Sequence, residues 1–360
     1  MIVVIGAGYA GVVAANETAR TVDEPVVLVN ERDTFVERVR LHQLAAGQEL
    51  PHRPLEKLLK GVTLVVGRVV AIDAEARVVR LADGREQDYD TLVYALGSRG
   101  NLSAPGAAEH AYDLAAPRDA ERLRERLAGG GTAVVVGGGL TGIEAAAELA
   151  RPDLKVTLLT DRLGPGLSAK GRGYVTRSLG RQGVDVREDA EVARVHADGV
   201  ELASGERIAA DAVVWAAGFS VPALARDAGF AVDDAGRMVV DDTLRSVSHP
   251  DVYGVGDAAA ARMPGGQELR MACATGMPTG QHAARAIAAR RAGREPRGLR
   301  FRYVNQCVSL GRADALVQFV DEHDAPKERV LTGRLAALYK EAIVKSTVFA
   351  QRHTRMPMSF

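Results

Sequence analysis

The chain has 360 residues, with 46 Lys or Arg against 46 Asp or Glu, so its formal net charge is +0 at pH 7. Hydrophobic residues make up 47% and charged residues 26%, a globular composition that excludes a disordered chain, and the length is enough for two or three domains. Balanced charge leaves no global field for nucleic acid, and no apolar stretch approaches the roughly 20 residues needed to cross a bilayer.

Met1 to Ile5 is an apolar run suited to a buried parallel strand, and it leads at once into Gly6-Ala7-Gly8-Tyr9-Ala10-Gly11. With no charged leader ahead of it, the expected location is the cytoplasm, with attachment at the inner face of a membrane left open. Val12 to Ala19 reads as a small-residue helix. Strand, glycine turn and helix in this order form a dinucleotide-binding unit: Gly6 permits the turn, Gly8 lets backbone approach a pyrophosphate, and Gly11 lets helix and strand pack closely. A second strand, Val26 to Val29, ends at Asn30-Glu31-Arg32. Glu31 is the expected ribose ligand there, with Asn30, at the more usual position, as the alternative and Arg32 beside it.

Val62 to Val70 and Ala76 to Leu81 alternate and end in the turn pair Asp83-Gly84, and Thr91 to Leu96 carries the chain to Gly97. Pro117 to Leu127 reads as a charged surface helix. The dinucleotide pattern then returns as Thr132 to Val136, Gly137-Gly138-Gly139-Leu140-Thr141-Gly142 and a helix Ile143 to Ala150, closed by Arg151-Pro152. Its second strand, Val156 to Leu159, reaches Thr160-Asp161-Arg162. Asp161 suits the free ribose of NADH and Arg162 the extra phosphate of NADPH, and NADH is the mild preference. A turn at Asp198-Gly199 and a strand Ala212 to Ala217 ending at Gly218 repeat the first half, an internal duplication. Val239 to Val247 leads toward a strand Val252 to Val255, a return that makes the first domain discontinuous.

The expected fold is α/β: two Rossmann-like dinucleotide-binding domains plus a small C-terminal α+β region. The boundaries are 1–110 with 235–295 for the first domain, 111–234 for the second, and 296–360 for a C-terminal interface or membrane-association region. In the tail, Val330, Leu331, Leu335, Leu338, Val344 and Val348 gather on one broad face of a basic helix. That face suits a membrane surface, the core or a homodimer.

Residues Val4 to Gly11, Tyr94 to Gly97, Val135 to Glu144, Trp215 to Gly218 and Val252 to Asp257 together resemble the FAD-dependent pyridine nucleotide oxidoreductases, and more closely their type II NADH dehydrogenase branch. The resemblance implies FAD in the first domain and NADH or NADPH in the second, with Asp257 at the flavin ribityl or pyrophosphate and Glu144 near the nicotinamide. It also implies that Val36 to Gly47 lies along the flavin, so His42 and Gln43 are candidates to orient the ring or substrate. The alternative for these two is to cap the following helix, and for Glu144 to serve as a first-turn acid. The implied activity is transfer of hydride to flavin and of electrons to a quinone or other small acceptor. Reduction of a ferredoxin-like protein, or a nucleotide-responsive redox binding role, stands as the alternative.

The two cysteines, Cys273 and Cys307, lie outside the flavin-side segment, which argues against a disulfide reductase and against the cysteine-dependent sulfide:quinone branch. No metal site is expected. Residues Arg270 to Gln281 carry a proline and extra glycines where the quinone-reducing members have an alanine and glutamine motif on a helix, so an interrupted helix is expected and the quinone assignment is weakened.

Overall fold

All four side chains of Ile2–Ile5 are buried, so this strand has no solvent face and lies inside its sheet. The computed structural model describes residues 1–358. Its first sheet is parallel, in the order Val252–Gly254, Thr91–Tyr94, Ile2–Ile5, Val26–Asn30, Thr63–Val66. Helix α1 (Tyr9–Thr21) packs Val12, Ala14 and Ala15 into one core with Ile2, Val4 and Leu28. A short helix α2 (Leu41–Ala45) follows the second strand in sequence.

The second sheet repeats this plan in the order Asp185–Arg187, Leu154–Leu159, Gly131–Val136, Ala212–Trp215, Ala111–Asp113, also parallel. Helix α3 (Leu140–Leu149) leaves its glycine turn and stops just before Arg151-Pro152. Each parallel sheet is accompanied by a three-stranded antiparallel insert, Val69–Asp73 with Val78–Leu81 and Glu86–Asp88 in the first, Val192–His196 with Gly199–Leu202 and Arg207–Ala209 in the second. The single run expected over Val62 to Val70 is divided at Gly67-Arg68. Its first part becomes the outer parallel strand and its remainder enters the insert. Arg99–Gly100 and Phe219–Ser220 pair antiparallel where the chain passes between the two halves.

Helix α4 (Cys273–Arg291) corrects the expectation of an interrupted helix: it runs unbroken for 19 residues with Pro278 inside it. The proline falls near the helix start, so it removes only one early hydrogen bond. Gly280 is explained by close packing, since a Cβ there would lie 2.2 Å from the Ala10 carbonyl oxygen. Glycine lets α4 and α1 approach closely along much of their length.

Asn305–Ser309, Ala315–Val320 and Pro326–Thr332 form an antiparallel sheet that ends in helix α5 (Gly333–Arg352). The single apolar face expected for the tail does not form. Val330 and Leu331 belong to the strand, Ala336 and Val344 are buried, and Leu335 (68% exposed) and Leu338 (67%) face outward. Among the described residues no helix is long and apolar enough to cross a membrane.

Candidate functional site

The two glycine turns are built alike. Helices α1 and α3 start after Gly8 and Gly139, and neither N-cap makes a side-chain hydrogen bond. The N–H groups of both first turns therefore remain for an anion. A Cβ at Gly8 or Gly139 would meet nothing within 4 Å, whereas one at Gly11 would lie 1.8 Å from the Gly6 oxygen and one at Gly142 the same 1.8 Å from that of Gly137. Each turn is open on one side and closed on the other.

At both sites the residue ending the second strand braces the turn. Asn30 Oδ1 accepts from the Ala7 N–H at 2.9 Å, and Thr160 Oγ1 accepts from the Gly138 N–H at 3.0 Å. Asn30 stands at the more usual ribose position and Thr160 where an acid is expected, and both side chains are instead taken up by the turn. The next residue is the exposed acid in each case: Glu31, paired with Arg32 at 3.0 Å, and Asp161, beside the exposed Arg162.

Asp257 sits in a single helical turn, Gly256–Ala258, next to the first cradle. Its Oδ2 accepts from Ser98 Oγ at 2.6 Å and lies 3.8 Å from Arg38 Nη1. Arg38 also donates to the Ser98 carbonyl at 2.7 Å and lies over the Phe219 ring. Gly97 (φ +65°) and Gly218 (φ +90°) leave their strands just before the paired crossing segments. Arg38 belongs to the polar segment expected along the flavin, but its bond to Ser98 and its approach to Asp257 follow no local pattern in the sequence.

Glu144, one turn into α3, joins three parts of the chain. Its Oε1 accepts from the Ser309 N–H at 2.9 Å and from Lys340 Nζ on α5, and its Oε2 is 3.7 Å from His42 Nδ1. Glu144 is thus engaged by side chains and backbone from outside its own helix. His42 and Gln43 do not cap a helix. Both are buried within α2, and Gln43 Oε1 accepts from Arg40 Nη1 at 3.2 Å. Arg40 also bonds Glu37 at 3.1 Å and Glu341 at 2.8 Å, and Arg53 reaches Glu37 at 2.9 Å.

Burial, and after it the Lys340, Arg312 and Arg40 cations, hold the His42 imidazole well below its ordinary value, so it is neutral. The unfolded chain binds a proton at this histidine below about pH 6.5 while the folded chain does not, so stability falls as pH drops through that value. The slope of unfolding free energy against pH between 5 and 7 is expected to be shallower in His42→Gln. An unchanged slope in urea titrations contradicts the buried neutral histidine.

Burial also raises both thiols, Cys273 with a further contribution from Asp257 and Cys307 up to about 12. Neither is a thiolate near neutrality, so neither is an activated nucleophile. Tyr9 Oη and His42 Nε2 are buried without a hydrogen-bond partner among the described residues. An open cradle at an uncapped helix start, an adjacent carboxylate and unpartnered buried polar atoms fit a bound FAD.

Residues 1–289 match the family described as pyridine nucleotide-disulphide oxidoreductase. An NADH dehydrogenase-like protein of Mycobacterium tuberculosis is 38% identical over 313 residues, covering 78% of each chain. Rhodocoxin reductase of Rhodococcus erythropolis is 34% identical over 73% of this chain and 66% of its own. The sulfide:quinone oxidoreductase of Aquifex aeolicus shares the fold, with a TM-score of 0.82, 21% identity, and coverage of 98% of this chain and 91% of its own.

Proposed function

The chain belongs to the pyridine nucleotide-disulphide oxidoreductase family, and from that premise we propose how its two cradles are used. It is an FAD-dependent NAD(P)H oxidoreductase that passes electrons to a small redox partner. In our assignment FAD takes the Gly6 site, held by the first-turn N–H groups of α1 with Gly8, Gly11, Glu31, Arg32, Gly97 and Asp257. NAD(P)H takes the Gly137 site through Gly139, Gly142, Asp161 and Gly218. The corresponding domains are 1–110 with 235–295, and 111–234, with 296–360 as the C-terminal region.

FAD, when bound, supplies a carrier that accepts hydride from the nicotinamide and releases electrons to the acceptor. The residues supply position and charge. Asp257, anchored by Ser98, offers acceptor oxygens to hydroxyl groups, and Glu144 with neutral His42 lies between the segments that follow the two cradles. The observation that carries the assignment is the presence of two open, uncapped helix starts in one chain. Anaerobic mixing of FAD-loaded protein with NADH or NADPH is expected to bleach the flavin absorbance. Flavin that stays oxidised with both nucleotides overturns the assignment.

NADH is the proposed nucleotide. Thr160 is occupied in bracing the turn, so the ribose falls to Asp161, which accepts from free hydroxyls and repels an added phosphate. Asp161→Ala is expected to weaken NADH by about tenfold, the effect of losing charge-assisted hydrogen bonds, with little loss for NADPH. Equal losses for both in steady-state KM remove Asp161 from that role.

For the acceptor we propose a quinone, or a small quinone-like compound, met at a membrane surface. The support is α5, where exposed Leu335, Leu338 and Phe349 share the helix with Arg334, Lys345 and Arg352. Similarity to a rhodocoxin reductase favours a second reading, a soluble redox protein as acceptor. An acceptor screen at saturating NADH separates them: fastest turnover with quinones, raised by anionic vesicles, supports the first, and turnover confined to iron–sulfur proteins establishes the second.

A further inference from the structure

We propose that Lys340, on α5, is a positioning residue that fixes the charge of the His42–Glu144 pair: its ammonium neutralises Glu144 and so leaves His42 uncharged. Three separate stretches of chain meet here. Glu144 comes from the helix that opens the second cradle, His42 from the segment after the first sheet's second strand, and Lys340 from the C-terminal helix. Lys340 and Glu144 are each only 13% exposed and His42 4%, so water does little to screen them.

The carboxylate carries one negative charge, which one cation neutralises. Lys340 Nζ contacts Oε1, the oxygen that also accepts from Ser309, while His42 stands back at 3.7 Å from Oε2 with its Nε2 unpartnered. A buried carboxylate stripped of its lysine draws a proton onto the nearest base, and that base is His42. Lys340 is itself lowered to about 7 by burial and by Arg40, with Glu341 working in the opposite direction, so its cation is present below that value.

The neighbouring groups do not take over the task. From the His42 side come Arg40, already bonded to Glu37, Gln43 and Glu341, and from the loop after Asn305–Ser309 comes Arg312. Arg53 is held by Glu37 and Glu341 by Arg40 and Lys345. On α3, Glu148 is hydrogen-bonded by Gln48 and has its carboxyl raised by burial. The Cys307 thiol of the adjoining strand is uncharged near neutrality, and Tyr339 on α5 is bonded to Asn305.

The clamp ties the C-terminal region to the helix of the second cradle, and its effect on hydride delivery rests on our assignment of NAD(P)H to that cradle. The test follows the imidazole signals of FAD-loaded protein labelled with 13C at histidine, the His42 signal being identified by its loss in His42→Gln. In the wild type it is expected to stay unprotonated from pH 8 to pH 5.5. In Lys340→Met it titrates above the ordinary histidine value, and Lys340→Arg restores the silent behaviour. Lys340→Gln repeats the loss of charge with a polar side chain, and thermal unfolding checks that each variant is folded.

Flavin reduction by NADH is compared at pH 6, where Lys340 is charged: in Lys340→Met it is expected to be near wild type, because protonated His42 replaces the lost cation, and in the double variant Lys340→Met with His42→Gln, which has neither cation, to fall about tenfold, the equivalent of about 1.4 kcal/mol. A His42 signal that remains silent in both folded neutral variants overturns the clamp. A His42 that titrates in Lys340→Met while the double variant still reduces the flavin at the wild-type rate keeps the clamp and overturns its part in hydride delivery. NADH failing to reduce wild-type flavin removes the nucleotide assignment alone.

Discussion

Gly11→Ala is expected to fold without retaining FAD, whereas Gly142→Ala retains FAD that NADH no longer reduces. The added methyl in either variant would stand 1.8 Å from a carbonyl oxygen of the same turn. Both atoms are backbone, so no rotamer change relieves the overlap, and α1 or α3 must shift away from its strand. That shift moves the first-turn N–H groups away from the phosphate they face. A displacement costing about 3 kcal/mol weakens binding by roughly 100-fold.

The two variants therefore separate the roles of the two cradles. Flavin content after gel filtration reports the first, and stopped-flow reduction by NADH reports the second. Circular dichroism confirms that each chain is folded. If Gly142→Ala loses flavin while Gly11→Ala keeps it, the assignment of the two nucleotides is reversed.

Arg40→Met is expected to destabilise the protein by about 3 kcal/mol, the cost of breaking a buried charge network from one side. Arg40 is 9% exposed on its side chain and Glu37 is 3% exposed, so neither is well solvated. Removing the guanidinium leaves Glu37 with Arg53 alone and Glu341 with the exposed Lys345. It also removes the bond that joins the α2 segment to α5. Urea titration of the apo protein measures the loss. A change below about 1 kcal/mol, the range of exposed pairs, shows that the network contributes as a surface ion pair does.

Much of the frame was legible because each dinucleotide unit states its requirements locally. Gly11 and Gly142 are forced by the carbonyls of Gly6 and Gly137 in the same turn, and the apolar strands on either side are short and continuous. Glu144 was marked only through the resemblance of the second unit to a known family. Its partners were not: Ser309 and Lys340 lie 165 and 196 residues further along the chain, and no local pattern joins them to it.

Helix α4 shows a different failure. Its glycines lowered its apparent helical character, but the space they leave is filled by Ala10 of α1, and tertiary packing outweighs propensity. In the tail, merging Val330 and Leu331 with the residues after Gly333 concealed the change from strand to helix. The merged face left membrane, core and homodimer open, and the structure turns Leu335 and Leu338 out of the core.

The paired crossing segments, Arg99–Gly100 against Phe219–Ser220, bear on how the molecule comes apart under attack. A protease that cuts once between the parallel sheets severs only one connecting strand. The ladder bonds persist, Asn101 still donates to the Gly218 carbonyl, and Gly100 still donates to Asp113. A singly nicked chain should therefore migrate as one particle in native gel filtration and resolve into two fragments only in denaturant.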